Sequence, residues 1–465
     1  MKPNVIEITV QNNLCIGCGI CAGVCPANVL KMEFNKYGEY NPVGSSGCLE
    51  KCNLCLKVCP FYDHNENEDS LAKAIFGDIE RIKHRPETGY YLDSYVGYSN
   101  VNGHRSNGAS GGMATWFLET LLKKKIVDKV VCVTPNDDPE RLFHFTIFND
   151  VESIRHSAKS AYYPVEMSNV IKEIIREDCR YAITGLPCFL KGLRLAAIKN
   201  KKLRERIIIT VGLVCGQMKS KHYTTYLASL SGINGKLKKI NYRGKSFQKP
   251  ASNYFFHCIN EKNNDGKLFW NEGVVEAWCN RWFTPNACSF CDDIFAEVAD
   301  VTMMDAWLPQ YSQDHKGTNL IISRSPLISN ILRLGQKEEQ IVIEDLPIGK
   351  IIQAQSGGLN IKRNQLAYRL YRAKQSELSI PKKRVTPSKK ISFLSKKEIK
   401  IKDNMQTVSR ELFLKHYDGE KLDLKSFAER MNIFCNDLHK WKRIGRILLL
   451  PIRTIRKAKR IFSNG

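Results

Sequence analysis

Eight cysteines between Cys15 and Cys59 constrain this chain more than any other feature. They fall in two runs, CIGCGICAGVCP from Cys15 to Pro26 and CLEKCNLCLKVCP from Cys48 to Pro60, and both runs end in Cys-Pro. Two-residue gaps wrap three thiolates around one corner of an iron-sulfur cube, while the cysteine before the proline points away toward a second cube. The spacing predicts two ligand sets, Cys15, Cys18 and Cys21 with Cys59, and Cys48, Cys52 and Cys55 with Cys25. The runs are halves of one internal repeat, each completing the other's site. A zinc knuckle would need only four cysteines, so eight in this arrangement favour two 4Fe-4S clusters. Three residues separate Cys48 from Cys52 where two are usual, which makes the second loop wider.

A small ferredoxin-type domain over about residues 1–65 follows. Ile16, Ile20, Val24, Val29 and Leu30 interleave with the sulfurs and would keep water off them. NVLKMEFNKYGEYNPV reads as the end of a short helix followed by a hairpin. Such a domain stores and relays single electrons and makes no bonds of its own.

Seventeen cysteines would be a disulfide framework only in an oxidising compartment. The N-terminus MKPNVIEITVQNN lacks the basic-then-apolar order of a signal peptide, and no apolar run reaches the roughly 18 to 20 residues of a membrane span. The expected location is the cytosol, and clustered thiols there are better read as metal ligands.

After the acidic stretch FYDHNENEDS, read as part of a linker over 66–95 that includes the helical segment LAKAIFGDIERIKHR, a second body is expected from about 96 to 380. KVVCVTP, YAITGLP and RIIITVGLVCG are β-branched and strand-like, whereas MATWFLETLLKKK and CFLKGLRLAAIKN have helical spacing. The whole chain is therefore expected to be α+β: a ferredoxin-like domain, an α/β domain and a helical extension.

Three loops of the second body carry chemistry. Ser110, Gly111 and Gly112 form a turn just before a helix, where free amides and the positive helix end would suit a phosphate or the pyrophosphate of a flavin dinucleotide; a simple tight turn is the alternative. Cys188 sits at a strand-to-helix junction, where a helix dipole favours thiolate, and reactive thiol, cluster ligand and core residue all stay open. Cys288 and Cys291 form a CxxC ahead of a strand flanked by Asp300 and Asp305. With Cys188 and Cys215 a third four-cysteine site can be assembled. Cys132, Cys179, Cys258, Cys279 and Cys435 read as buried core residues.

The two-cluster motif followed in order by SGGMAT, TGLPC, GLVCG and CSFCDD…ADVTMMDAW resembles the family of coenzyme F420 hydrogenase/dehydrogenase beta subunits over about residues 10–370. The resemblance implies an iron-sulfur flavoprotein oxidoreductase. Its FAD would exchange hydride with a small molecule, a deazaflavin or another conjugated substrate, and single electrons with the clusters. Carried over by motif, Arg105, Ser110, Gly111, Gly112 and Lys159 would line the flavin site, and Cys188, Cys215, Cys288 and Cys291 would hold a third 4Fe-4S cluster. No catalytic residue is singled out. Ser160 stands where the family usually has Tyr, and Met304 where it usually has Gly. The partners expected are a redox protein or low-potential donor and a small-molecule substrate. The other reading is an electron-transfer subunit that has no substrate of its own and docks to a separate catalytic partner.

The net charge of +24 is uneven: residues 381–465 carry 23 Lys or Arg against 8 Asp or Glu. That segment reads as a basic, mostly helical appendage, beginning with the linker PKKRVTPSKKISFLSKKEIK. Trp441, Ile444, Leu448, Ile455 and Phe462 fall on one side at helical spacing, and eight basic and no acidic residues follow Trp441. An interfacial helix on an anionic membrane and a solvated basic cap are the two readings, with Pro451 expected to split the segment into two helices. Membrane contact would make the protein peripheral at the inner face. Nucleic acid is disfavoured, because no basic and aromatic face recurs elsewhere.

Overall fold

The computed structural model describes residues 3–44, 46–63, 65–376 and 380–462, with side chains through residue 448. Its N-terminal domain holds the hairpin expected from sequence. Strands β1 (Leu30–Phe34) and β2 (Tyr40–Gly44) pair antiparallel with Phe34 opposite Tyr40, their rings stacked 4.0 Å apart. No helix precedes the hairpin directly, since residues 28 and 29 are irregular.

Helix α1 (Glu68–Phe76) follows, capped by the Asn67 side chain, which accepts from the Ser70 amide at 2.9 Å. It covers only the first part of the helical stretch expected there. Gly77 closes it, and residues 83–85 and 89–91 form a short hairpin. Leu71, Ala72 and Phe76 are buried in the main core, so this stretch packs where a linker was expected.

An eight-stranded sheet organises the rest. In chain order its strands are β3 (Asp93–Ser99), β4 (Lys129–Pro135), β5 (Phe143–Phe148), β6 (Tyr181–Gly185) and β7 (Ile207–Leu213). Strands β8 (Leu237–Gly244), β9 (Phe255–Asn260) and β10 (Asp265–Phe269) form a separate antiparallel sheet. The large sheet resumes with β11 (Val301–Asp305), β12 (Asn319–Ser323) and β13 (Ile341–Asp345), in the spatial order β13-β3-β12-β11-β7-β6-β4-β5. Strands β4, β6, β7 and β11 are parallel, and β3 runs the same way because it and β11 are both antiparallel to β12. Their carboxyl ends therefore share one edge of the sheet, the edge where open α/β sheets bind ligands.

Helix α2 (Met113–Lys123) follows the Ser110–Gly112 turn, and α3 (Pro187–Lys199) follows β6. Gly192 in α3 marks where the ferredoxin domain docks: an added Cβ would stand 2.8 Å from Ile20 Cδ1 and 3.3 Å from the Val58 carbonyl oxygen. A glycine inside a helix costs about 1 kcal/mol against alanine, and here it makes room for the close approach.

The C-terminal region is not an appendage. Helices α4 (Phe393–His416) and α5 (Leu424–Phe462) pack together, and Met405, Phe413, Met431, Cys435 and Leu438 join the main core. Its cations are partly engaged by the body: Lys383 pairs with Asp292 at 3.4 Å, Arg384 with Glu297 at 2.6 Å and Arg410 with Glu39 at 3.1 Å. A charge count reads these as surplus because their acidic partners lie far away in sequence. Helix α5 runs through Pro451 without the expected break. Ile455 and Phe462 lie outside the residues whose side chains are described. Among the described residues no helix is long and apolar enough to cross a membrane.

Candidate redox site

Cys15, Cys18, Cys21 and Cys59 line one cavity with Ile16 and Phe61, about 320 Å³ of atom-free space partly open to solvent. Left-handed glycines shape the loop: Gly17 (φ +74°) lies against Tyr40 and Gly19 (φ +78°) against Glu166 and Met167. The Gly17 amide donates to Cys15 Sγ at 3.4 Å, and Thr9 Oγ1 lies 3.6 Å from Cys59 Sγ. Such polar contacts to sulfur are a lever on cluster potential. Burial pushes the Cys15 thiol up to about 12 and raises Cys18, Cys21 and Cys59 as well. Cys55 faces Cys52 and Cys48, while Cys25 follows the helical turn Ile20–Gly23 and is half-buried. Cys48 is exposed, as are its neighbours from 46 to 51. Among the described residues no three His, Cys, Asp or Glu side chains are gathered for a single metal ion. A cube holds its thiolates farther apart than one ion does.

A second thiol set forms at the carboxyl edge of the sheet. Cys188 begins α3 after β6, Cys215 follows β7, and Cys288 and Cys291 lie on the turn Asn286–Phe290 and just after it. Cys188 interacts electrostatically with Cys291, Cys215 and Cys288, and beyond them with Cys18 of the first set. Burial, reinforced by these thiols, drives Cys188 well above the usual thiol range, which outweighs the pull of the helix end toward thiolate. Cys215 is pushed up to about 12 by burial. The Met218 amide donates to Cys288 Sγ at 3.3 Å.

Gln406 on α4 holds this turn from outside. Its Oε1 accepts from Ser289 Oγ at 3.0 Å and from Arg281 at 3.2 Å, while its Nε2 donates to the carbonyls of Thr284 and Pro285. Lys362, only 2% exposed, faces Cys291, Cys215 and Cys288. Of the five cysteines read as core, Cys132, Cys258 and Cys435 are buried and Cys179 is half-buried. Cys279 is exposed, because it ends the short helix Val275–Cys279 at the surface.

Along the same edge the turn before α2 meets three cations. Arg105 stacks 3.9 Å over Tyr98 and donates to Asp314 at 2.7 Å and to the Gly317 carbonyl at 2.6 Å. Arg243, at the end of β8, makes a bidentate pair with Asp305, both bonds 3.0 Å. It also donates to the Ala109 carbonyl and the Tyr162 hydroxyl, and its guanidinium lies 4.1 Å over Tyr254. Lys245 donates to the carbonyls of Arg105, Ser110 and Lys316. Burial, with Arg105 and Arg243 close by, brings it down to about 7. Among the described residues the buried Nε atoms of both arginines have no partner.

The turn itself differs in part from expectation. The Met113 amide is taken by Asn319 Oδ1 at 3.2 Å, and Ser110 Oγ donates to the Thr318 carbonyl at 2.7 Å. A Cβ at Gly111 would stand 2.8 Å from Asn319 Oδ1, and one at Gly112 (φ +77°) 2.6 Å from the His104 backbone, so packing alone demands both glycines. Lys159 is exposed on a loop of otherwise half-buried residues, with φ +142°, three residues before Tyr162. Met304 packs into the core with Val96, Leu320 and Ile322. Tyr162 and Trp278, with ring centroids 4.5 Å apart, connect the two groups: Tyr162 touches Arg243, and the Trp278 carbonyl accepts from Gln217, two residues beyond Cys215.

Residues 14–62 match the model of a 4Fe-4S dicluster domain. Residues 94–172 and 178–348 match the N-terminal and C-terminal models of the coenzyme F420 hydrogenase/dehydrogenase beta subunit. The chain is 22% identical over 376 residues to a subunit of the F(420)H(2) dehydrogenase of Methanosarcina mazei, covering 77% of this chain and 93% of that one. It is 28% identical over 352 residues to the coenzyme F420-dependent sulfite reductase of Methanocaldococcus jannaschii, covering 72% of this chain and 48% of that enzyme. Among solved structures, a chain of the F420-reducing [NiFe] hydrogenase complex of Methanosarcina barkeri aligns over 63% of this chain and 96% of its own, at 14% identity and a TM-score of 0.48.

Proposed function

The chain belongs to the family of coenzyme F420 hydrogenase/dehydrogenase beta subunits and is an iron-sulfur electron-transfer protein of oxidoreductase type; from that premise we propose that it binds FAD at the cationic turn and relays electrons between that flavin and its clusters. A bound flavin supplies the exchange of two electrons, taken or given as hydride, for two single electrons that the clusters carry one at a time. The observation that carries this reading is the meeting of Arg105, Arg243 and Lys245 with the Ser110–Gly112 turn. The unpartnered Nε atoms of both arginines fit an anionic group such as a pyrophosphate or a reduced flavin ring.

The chain's own residues divide the remaining work. Asp305 fixes the Arg243 guanidinium, Lys245 ties the turn together through three carbonyls, and Tyr254 and Tyr98 cover the arginine faces. Cys188, Cys215, Cys288 and Cys291 would hold a third 4Fe-4S cluster between the flavin and the cluster of Cys15, Cys18, Cys21 and Cys59. Cys25, Cys48, Cys52 and Cys55 would hold the outermost one, whose exposed Cys48 loop suits exchange with a redox protein. The relatives' names make a deazaflavin the first hydride partner to test.

Anaerobic purification with iron, sulfide and flavin measured per chain tests the reading. About twelve irons, four to each cube, and one FAD are expected. Eight irons and no flavin after reconstitution would overturn it in favour of an electron-transfer subunit that lacks its own substrate.

We propose an anionic membrane surface as the partner of the end of α5, where Ile447 and Leu448 are 57% and 61% exposed beside Lys442, Arg443 and Arg446. The full chain is expected to float with vesicles containing phosphatidylglycerol, and to lose them in high salt or after truncation at residue 441. Equal binding to neutral vesicles, no binding, or a preference for nucleic acid over vesicles would overturn this.

A further inference from the structure

The region beyond residue 348 lies outside the family models, yet it hydrogen-bonds the loop that carries two of the second set of thiols. We propose that this region is a two-sided clamp on that loop, with Gln406 and Arg384 as its positioning residues, and that retention of the cluster held by Cys188, Cys215, Cys288 and Cys291 depends on both. The inference rests on the third-cluster reading above and adds to it two residues that no motif marks.

The loop is unusual in where it runs. Between Cys279 and Val301 the chain forms no strand and only the turn Asn286–Phe290, and every residue from Arg281 to Ala299 except Asn286 and Cys291 is buried. Irregular chain normally stays at the surface, where water meets its backbone groups. Here protein must meet them instead. The body of the fold serves the two ends: Lys219 donates to the Trp282 carbonyl at 2.7 Å, Arg194 to that of Val298 at 3.1 Å and Arg324 to that of Ala299 at 3.0 Å.

The stretches beside the two thiols are served from the C-terminal region. Upstream of Cys288, Gln406 Nε2 donates to the carbonyls of Thr284 and Pro285 at 2.9 and 3.1 Å, and Ser409 Oγ accepts from the Phe283 amide at 2.9 Å. Between the thiols, Ser289 Oγ donates to Gln406 Oε1. Downstream of Cys291, Arg384 Nη2 donates to the Asp292 carbonyl at 3.2 Å, and its guanidinium is fixed in turn by both carboxylate oxygens of the buried Glu297 at 2.6 Å.

The consequence concerns how firmly a cube is held. Its thiolates must converge at fixed positions. Cys188 and Cys215 gain theirs from the large sheet, since each follows one of its strands. Cys288 and Cys291 have no such support, so the bonds to the loop around them fix their places. Partners one step behind a ligand commonly change metal retention by about 10- to 100-fold. The Arg384 side also meets the first set: the Lys382 amide donates to Asp63 Oδ1 at 2.9 Å, and Lys383 Nζ lies 4.8 Å from the ring centroid of Phe61, which lines the first cavity. The clamp therefore spans both thiol sets while touching no substrate.

The test is an anaerobic challenge of the whole protein with a ferrous chelator, with iron release and electron paramagnetic resonance measured together, for the wild type and the Gln406→Glu, Arg384→Lys and Thr407→Ala variants. Gln406→Glu is nearly isosteric and keeps the acceptor for Ser289, but it has no donor for the Thr284 and Pro285 carbonyls. Arg384→Lys keeps a charge for Glu297 and loses the planar fork that also reaches the Asp292 carbonyl. In both, four of about twelve irons are expected to leave at least tenfold faster than in the wild type, with the third cluster's signal altered and the signals of the N-terminal pair unchanged. Thr407→Ala, on the exposed side of α4, is expected to match the wild type. Wild-type release in either Gln406→Glu or Arg384→Lys, or equal loss from all the clusters, would overturn the clamp. Eight irons in the wild type would instead overturn the third cluster itself, and the wild-type count separates the two failures.

Discussion

Replacing Cys288 by alanine is expected to remove about four of twelve irons and to leave the signals of the N-terminal cluster pair unchanged. Cys288 belongs to the set at the carboxyl edge of the sheet, while the eight N-terminal cysteines lie in the separate N-terminal runs, four of them around one cavity. The variant should also slow reduction of the N-terminal pair through the flavin, because Cys188 is the thiol of this set that electrostatically reaches Cys18. Cys279→Ala is the control, since that thiol is exposed and belongs to neither set. Chemical iron analysis with the visible spectrum reads both. Equal iron in the Cys288→Ala variant and the wild type would remove the third cluster from the scheme.

Replacing Arg243 by methionine is expected to cost at least tenfold in flavin retention and about 3 kcal/mol in stability, the second because it leaves Asp305 without its partner. These two effects can be separated. In the double variant Arg243→Met, Asp305→Asn the stranded carboxylate is gone, so most of the stability should return while the flavin stays weakly held. Thermal unfolding and flavin titration, run side by side, decide it. Recovery of flavin binding in the double variant would mean that Arg243 serves only the fold.

Lys245 adds a pH dependence to that site. Its lowered value, about 7, means that the ammonium is present below neutrality and gives way to the amine as the pH rises through 7. An ammonium can serve all three carbonyls of Arg105, Ser110 and Lys316, whereas the amine has one proton fewer. Affinity for an anionic ligand at the turn should therefore be greatest below pH 7 and fall above it. The Lys245→Arg variant, charged throughout, should flatten that profile.

The parts of this molecule that sequence discloses are those whose partners lie close in the chain or repeat at a fixed interval. The cysteine runs disclose themselves by spacing, and KVVCVTP coincides with β4 because its β-branched residues fill a central strand. Cys188 and Cys215 could be grouped because each follows a strand that a parallel sheet brings to one edge, and Cys288 and Cys291 joined them as a CxxC pair. Arg243, Lys245 and Lys362 left no such trace. They are three among 71 lysines and arginines, and their partners are a distant carboxylate, backbone carbonyls and thiols.

The C-terminal region misleads for a related reason. Its helices hold the body through Gln406, Ser409 and Arg410, of which two are uncharged and the third is hidden in an ion pair with Glu39. Composition registers only the excess of cations. Gly77 shortened a helix that periodicity alone would have carried on to Arg85, and a turn and strand took its place.

That last ion pair has a meaning in time as well as in space. Glu39 and Arg410 are 371 residues apart in sequence. At about 5 to 20 residues per second, the ribosome needs roughly 20 to 75 s to reach Arg410 after making Glu39. Through that interval the N-terminal cysteines are already out while the last wall of their shelter is still unmade. The cell's cluster-delivery machinery thus has an open door, and the final helices shut it only when the chain is almost complete.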